Sequence, residues 1–187
     1  RRELLSPTRK TRSSGFSLIE LLIGIALVAI TLMLAMPSFR TWIQNTHIRN
    51  AAESTVNGMQ RARAEAVVRN TNVSFSFGGG SFWTIRQVSD NSVIESRPAE
   101  EILDSITRTT LPPAVPPAAP TATITFSNLG TVVANADGTA SITQVDFDST
   151  ALPAADSRDL RVTIGVSGVA RMCAPTVSDP TDLRYCV

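Results

Sequence analysis

An apolar run, FSLIELLIGIALVAITLMLAM, occupies residues 16–36 and contains one charged side chain, Glu20. As a helix, 21 residues extend about 31 Å at ~1.5 Å per residue, which is enough to cross the hydrocarbon core of a bilayer. The preceding segment carries a net charge of +4 from Arg1, Arg2, Arg9, Lys10 and Arg12 against Glu3. Because basic flanks stay in the cytoplasm, we expect the rest of the chain to lie outside it.

The apolar run allows two interpretations, a secretory signal that is removed or an anchor that is retained. A removed signal normally ends in small residues of the A-x-A kind, whereas this run ends Leu34-Ala35-Met36. A carboxylate such as that of Glu20 costs roughly 2–3 kcal/mol or more within an apolar span, and it usually marks a function. The sequence therefore favours a retained segment in which Glu20 has a role.

The residues Gly15-Phe16-Ser17-Leu18-Ile19-Glu20, followed by the apolar run, resemble the prepilin peptidase site of type IV pilins and type II secretion pseudopilins. The resemblance implies cleavage between Gly15 and Phe16 and methylation of the new Phe16 amine. It also implies that Glu20 pairs with the Phe16 amine of a neighbouring subunit during assembly. Two unit charges ~4 Å apart attract by about 4 kcal/mol at an effective dielectric near 20.

Beyond Pro37, apolar or small residues recur mostly three or four positions apart as far as residue 67. This spacing is typical of an amphipathic helix, so we predict one long helix over about 16–69, kinked or locally melted at Pro37. The positions expected to pack on a globular domain are Phe39, Trp42, Ile43, Ile48, Ala52, Val56, Met59, Ala62, Ala66 and Val67.

The chain after Asn70 changes to short runs of β-forming residues. Alternation over 73–77 and the run 82–88, joined by Gly78-Gly79-Gly80-Ser81, predict a hairpin. Further predicted strands are 104–110, 122–127, 141–147, 160–166 and 168–173. The proline-rich segment 111–120 is predicted to be an exposed loop.

Cys173 and Cys186 are the two cysteines of the chain. In an exported domain an even pair of cysteines indicates a disulfide. Closing a loop of this size contributes about 3 kcal/mol in the chain-entropy model. We therefore expect the bond to fasten a terminal segment that has little apolar content.

Enzymatic and metal-binding functions have little support in the sequence. The only histidine is His47, and no nucleophile elbow or phosphate-binding loop is present. Two acidic pairs could bind calcium, but neither has a recognised loop pattern, so we interpret them as solvated loop acids: Asp146 with Asp148, and Asp156 with Asp159. We expect no cofactor, no metal and no enzyme activity.

The whole pattern is similar to the FimT/GspH family of minor pilins and pseudopilins. Near the C-terminus of this chain, the resemblance rests on Gly168-Val169-Ala170-Arg171-Met172-Cys173. The resemblance implies an α+β type IV pilin fold, in which a long N-terminal helix packs on an antiparallel sheet closed by a C-terminal disulfide. The expected division of the chain is a cleaved leader (1–15), a transmembrane assembly helix (16–36), an amphipathic continuation (37–70) and a periplasmic β-rich domain (71–187).

Three functions remain open from the sequence. The first is a FimT/FimU-like minor pilin in the priming or tip complex of a type IV pilus. The second is a GspH-like pseudopilin of a type II secretion system. The third is a DNA-binding minor pilin for natural transformation, since some FimT proteins bind DNA through a Gly-Arg-x-Arg motif. Gly168 and Arg171 match that motif, while Val169 replaces its first arginine.

The candidate DNA-binding residues are Arg161, Gly168, Arg171 and Arg184. A formal net charge of +1 excludes binding through bulk charge, although phosphate contacts need only local cations. The expected partners are a prepilin peptidase, other pilins or pseudopilins and the bacterial inner membrane, which the chain would cross once. DNA is the less favoured partner. The first of the three functions ranks ahead, because the FimT-like ending and the incomplete arginine motif both fit it.

Overall fold

A computed structural model of the chain describes residues 15–78, 81–98, 106–111 and 122–186. Residues 1–14 of the predicted leader, Gly79 and Gly80 of the predicted turn, and nearly all of the proline-rich segment lie outside these ranges. The chain forms two units, residues 1–39 and residues 40–187.

The helix α1 runs over Leu18–Arg69 and includes Pro37. It begins at residue 18, because the Ser17 hydroxyl oxygen accepts a hydrogen bond from the backbone N–H of Glu20 (3.2 Å) and so caps the first turn. It ends where Asn70 adopts a left-handed backbone with φ 50°. There the N–H of Thr71 bonds to the carbonyl of Ala66 (3.1 Å), as in a Schellman motif.

The strands form two antiparallel sheets. The first has the order β3-β2-β1-β5-β6 and the second the order β4-β7-β8-β9. The bounds are β1 Val73–Gly78, β2 Ser81–Gln87, β3 Val93–Pro98, β4 Ile106–Leu111, β5 Thr123–Phe126, β6 Val132–Val133, β7 Gln144–Ser149, β8 Leu160–Ile164 and β9 Ala170–Cys173.

All seven predicted strands are present, and their described ends are shifted by up to three residues. The hairpin β1–β2 pairs Phe75 with Ile85 and Phe77 with Trp83. Two strands were not predicted from the sequence. β3 is a mostly exposed edge strand, VIESRP, without apolar alternation, and β6 has two residues.

The core lies between α1 and the two sheets. From α1 it takes mainly small or short side chains: Ile48, Ala51, Ala52, Ser54, Thr55, Gly58, Met59, Ala62 and Ala66. The prediction that Phe39, Trp42 and Val67 pack in this core is wrong, since these side chains are 58%, 63% and 51% exposed. Phe39 belongs to the first unit, and the buried stripe of α1 begins at Ile48.

Gly58 sets how closely α1 approaches the first sheet. A Cβ at this position would lie 2.8 Å from Cε2 of Phe75 and 3.0 Å from Cε2 of Trp83. The Trp83 Nε1–H donates to Ser54 Oγ (3.0 Å), which fixes the ring beneath the helix. Both aromatic rings are buried, so they have little room to move away.

The C-terminal tail is fastened to β9 by the predicted disulfide. Cys173 and Cys186 are bonded, with their Cα atoms 5.1 Å apart. Within the loop the N–H of Ala174 donates to the carbonyl of Arg184 (2.8 Å). The side chain of Leu183 is 97% exposed, so the tail buries little apolar surface to hold itself in place.

We predict that Gly58→Ala destabilises the unit from Arg40 onward. Overpacking a core typically costs about 1–3 kcal/mol, which exceeds the gain of about 1 kcal/mol that alanine brings to a helix. The free energy of unfolding in urea should therefore fall. The exposed neighbour provides the control, because Asn57→Ala adds helix propensity without a clash and should leave stability unchanged or raised. Equal stabilities of the two variants would contradict the close approach.

We also predict that Cys186→Ser lowers the free energy of unfolding by about 3 kcal/mol, since the unfolded chain is no longer cross-linked. Urea unfolding of the oxidised parent and the variant measures this difference. Treating the parent with a reductant should reproduce the effect, and the variant should not respond to it. A variant as stable as the oxidised parent would show that the tail is held by other contacts.

Candidate functional site

The first candidate site is the start of α1. Gly15, Phe16 and Ser17 precede the helix, and the Phe16 side chain is 83% exposed. Glu20 lies in the first helical turn, where the partial positive charge of the helix N-terminus stabilises a carboxylate. Glu20 forms no ion pair with any residue that the structure describes. Its charge is therefore available to a group outside the chain.

The fold does not account for the glycine at position 15. A Cβ built on Gly15 would meet no atom within 4 Å, and no positive φ is recorded there. The described contacts therefore leave room for larger residues at this position.

The apolar part of α1 is uncovered. The large hydrophobic side chains from Leu18 to Met36 are 48–78% exposed. Within the described ranges this helix is long and apolar enough to cross a membrane, by length and composition. So large an exposed apolar surface requires a covering of lipid or of other protein chains.

The second candidate site is the group of C-terminal arginines. Arg161 on β8 forms a bidentate ion pair with Asp146 on β7, with Nε–Oδ1 at 2.7 Å and Nη2–Oδ2 at 3.2 Å. Arg171 on β9 is exposed and forms no ion pair with the residues that the structure describes. The strand register places Arg171 opposite Thr163 and Arg161 opposite Cys173, so both arginines lie on the outer face of the second sheet.

The third arginine of this group, Arg184, is also paired. It contacts Asp182 through Nε–Oδ1 at 3.1 Å and Nη2–Oδ2 at 2.7 Å. These hydrogen bonds lower the pKa of Asp182 to about 2 and raise the pKa of Arg184. Of the three candidate DNA-binding arginines, Arg171 is therefore the one whose charge is not already neutralised by a described carboxylate.

Gly168 has a structural reason to be glycine. Its φ is +77°, and a Cβ there would collide with the carbonyl oxygen of Gly130. The same carbonyl accepts a hydrogen bond from Nε of Arg63 on α1 (2.8 Å). Arg63 therefore fastens the turn at Gly130 to the helix, and Gly168 packs on that turn. The sequence did not reveal this role, because residues 63, 130 and 168 are far apart in the chain.

The acidic pairs considered for calcium have other partners. Asp148 and Asp159 both contact the hydroxyl of Ser157, at 3.0 and 2.6 Å, and burial raises the pKa of Asp159. The carboxylate of Asp146 is held by Arg161. No group of three His, Cys, Asp or Glu side chains that could hold a metal occurs among the described residues.

Comparisons with known proteins agree with this architecture. Residues 51–168 match the family described as type II transport protein GspH. Residues 10–36 match the prokaryotic N-terminal methylation motif. No curated protein sequence matches the chain.

Solved structures of pilin-like proteins are also similar to the chain. The type IV minor pilin FimU of Pseudomonas aeruginosa is 20% identical with a TM-score of 0.49, covering 72% of this chain and 97% of that one. A second crystal form of FimU is 18% identical with a TM-score of 0.46, and the match covers 68% of this chain and 97% of that one. The minor pseudopilin EpsH from the type 2 secretion system of Vibrio cholerae is 12% identical with a TM-score of 0.45, and the match covers 70% of this chain and 99% of that one.

The expected type IV pilin architecture, a long N-terminal helix packed on antiparallel strands with a C-terminal disulfide, is confirmed. The GspH match covers more than half of the residues, and the methylation motif matches a segment N-terminal to it. The chain therefore belongs to the GspH family of type IV pilin-like proteins.

Proposed function

We propose that the chain is a FimT/FimU-like minor pilin, which enters the priming or tip complex of a type IV pilus after prepilin peptidase removes residues 1–15. The observation that carries this proposal is the start of α1. The Ser17 cap keeps Gly15 and Phe16 outside the helix, so the bond between them lies in non-helical backbone. A peptidase needs such backbone in order to bind a substrate in an extended form.

The glycine at position 15 fits the same role. Since the described contacts make no demand for glycine there, its use is explained by close approach of an enzyme to the backbone. Cleavage would remove the basic leader and create a positively charged amine at Phe16. That residue is the one to be methylated.

Glu20 would then act in assembly. Its carboxylate has no described ion partner, and it lies in an apolar segment where an unpaired charge is costly. Pairing with the Phe16 amine of a neighbouring subunit would remove this cost and contribute a Coulomb attraction of about 4 kcal/mol at ~4 Å and an effective dielectric near 20. The same pairing would fix the axial register between subunits.

The placement of the chain follows from the exposed apolar segment. Residues 16–36 would cross the inner membrane once, residues 37–70 would continue the helix, and residues 71–187 would lie in the periplasm. The basic residues before Gly15 favour this orientation, and a disulfide is consistent with an oxidising compartment. The expected partners are the prepilin peptidase and other pilins.

A pseudopilin of a type II secretion system is the second candidate, and the GspH match over residues 51–168 supports it. Deleting the gene in its native host distinguishes the minor pilin from the pseudopilin. Loss of surface pili with normal secretion supports the minor pilin, and the reverse supports the pseudopilin. DNA binding has less support, because Arg161 and Arg184 are already neutralised by Asp146 and Asp182.

We predict that Glu20→Ala leaves leader removal and membrane insertion intact and abolishes incorporation into filaments, because the buried Phe16 amine of the next subunit loses its partner. Immunoblots of membrane and sheared-filament fractions measure all three steps. Glu53→Ala is the control, since this carboxylate lies on α1 in an exposed pair with Arg49 and its loss should leave incorporation unchanged. Normal incorporation of the Glu20 variant would refute the proposed role.

A further inference from the structure

Two concavities flank Val169, the residue between the last turn and β9. One, of about 540 Å³, lies between the end of α1 and β9, and Ala64, Val67 and Val68 line its helix side. The other, of about 450 Å³, lies between the outer face of β8–β9 and the C-terminal tail, and Arg171 is among its lining residues. We call Ala64, Val67, Val68, Val169 and Arg171 together the Val169 surface.

The Val169 surface exposes large aliphatic side chains to solvent. Val67, Val68 and Val169 are 51%, 81% and 45% exposed. They belong to the unit that carries the core, not to the apolar segment before residue 37. Contiguous exposed apolar side chains on a folded domain mark a surface that binds another molecule.

The surface is also held in a fixed shape. Arg63 Nε donates to the Gly130 carbonyl, and the backbone of Gly168 packs against that carbonyl. The turn that carries Val169 is thereby fastened to α1. A preformed surface binds with less loss of conformational entropy than one that must be ordered first.

The charge on this surface is positive and uncompensated. Arg171 forms no ion pair within the part of the chain that the structure describes, and none of the residues lining the two concavities is acidic. Thr163 and Tyr185, which line the concavity with Arg171, supply hydroxyl groups that can bond to an anion. The complementary partner is therefore aliphatic and carries a carboxylate.

Two other occupants fit less well. A second copy placed face to face would bring Arg171 against Arg171, and like charges across an interface are unfavourable. Duplex DNA carries one charge per ~1.7 Å and is bound by several cations acting together. Here Asp146 and Asp182 neutralise Arg161 and Arg184, and the three exposed valines have no polar group that could bind a phosphate.

We propose that the Val169 surface binds a neighbouring, non-identical subunit of the assembly through a segment in which aliphatic residues flank an Asp or Glu. The segment passes around the edge strand β9 at Val169, which lines both concavities. Its aliphatic side chains occupy the concavity beside α1, and its carboxylate pairs with Arg171 on the outer face of the sheet. This proposal rests on the proposed function, because it requires that the chain be incorporated into a filament beside other subunits.

The test uses the full chain, expressed with the other subunits of its assembly, with a photoreactive amino acid at Ala64. This exposed position lines the concavity and leaves the three valines in place. Mass spectrometry of the cross-linked product should identify a peptide of another subunit in which Asp or Glu lies beside aliphatic residues. Arg171→Glu should reduce the yield about tenfold or more, and replacing the partner's acidic residue with Lys should restore it.

Matched variants control for charge and for apolar surface. Arg158→Glu makes the same charge change on the exposed β7–β8 loop, which lines neither concavity, and should leave the yield unchanged. Val68→Ser should lower the yield, whereas Val93→Ser, at an exposed valine of β3, should not. Thermal melting and the intact disulfide confirm that each variant is folded.

A cross-link to a second copy, a peptide without a carboxylate, or a yield insensitive to Arg171→Glu would each overturn the inference. So would DNA binding that is lost in Arg171→Glu while the cross-link persists. Leader removal and Glu20-dependent incorporation are scored in the same samples. An unprocessed chain contradicts the proposed function, whereas a processed and incorporated chain without the Arg171-dependent cross-link contradicts only the Val169 surface.

Discussion

The close approach of α1 to the first sheet is the contact on which the rest of the structure depends. A helix can lie this near to Phe75 and Trp83 only because it carries no side chain at Gly58, and most of its other buried residues are small or short. The aromatic rings then fill the space that large helical residues would otherwise occupy. Because the helix is held at this distance, Arg63 reaches the Gly130 carbonyl, and the turns near β9 take their places around it.

The helix α1 has two stretches of different composition, one buried in the domain core and one exposed. From Ile48 to Ala66, α1 supplies buried residues to a domain core, whereas from Leu18 to Met36 its large side chains are exposed. The first stretch is rich in alanine and short polar residues, and the second in leucine and isoleucine. Most of the large apolar side chains of α1 are therefore exposed before residue 37, whereas its core contacts come mainly from small residues, with Ile48 and Met59 as the large exceptions.

Local patterns were sufficient to predict much of this structure. The apolar run, the three-to-four spacing after Pro37 and the hairpin around Gly78 are features of neighbouring residues, and they predicted α1, β1 and β2. Amphipathic spacing did not reveal where α1 enters the core, because Trp42 satisfies the pattern and is nevertheless exposed. The sequence also did not show that Arg161 pairs with Asp146 or that Gly168 packs on Gly130, since these contacts join residues that are far apart in the chain.

The disulfide of the tail has a consequence for timing. Leu183 and Tyr185, which lie inside the Cys173–Cys186 loop, line the concavity beside Arg171. Thiols stay reduced in the cytosol and are oxidised after export, so under the proposed periplasmic placement this wall would be completed only once the domain has crossed the membrane. A newly made chain would thus be prevented from engaging that partner too early, by the redox chemistry of its surroundings.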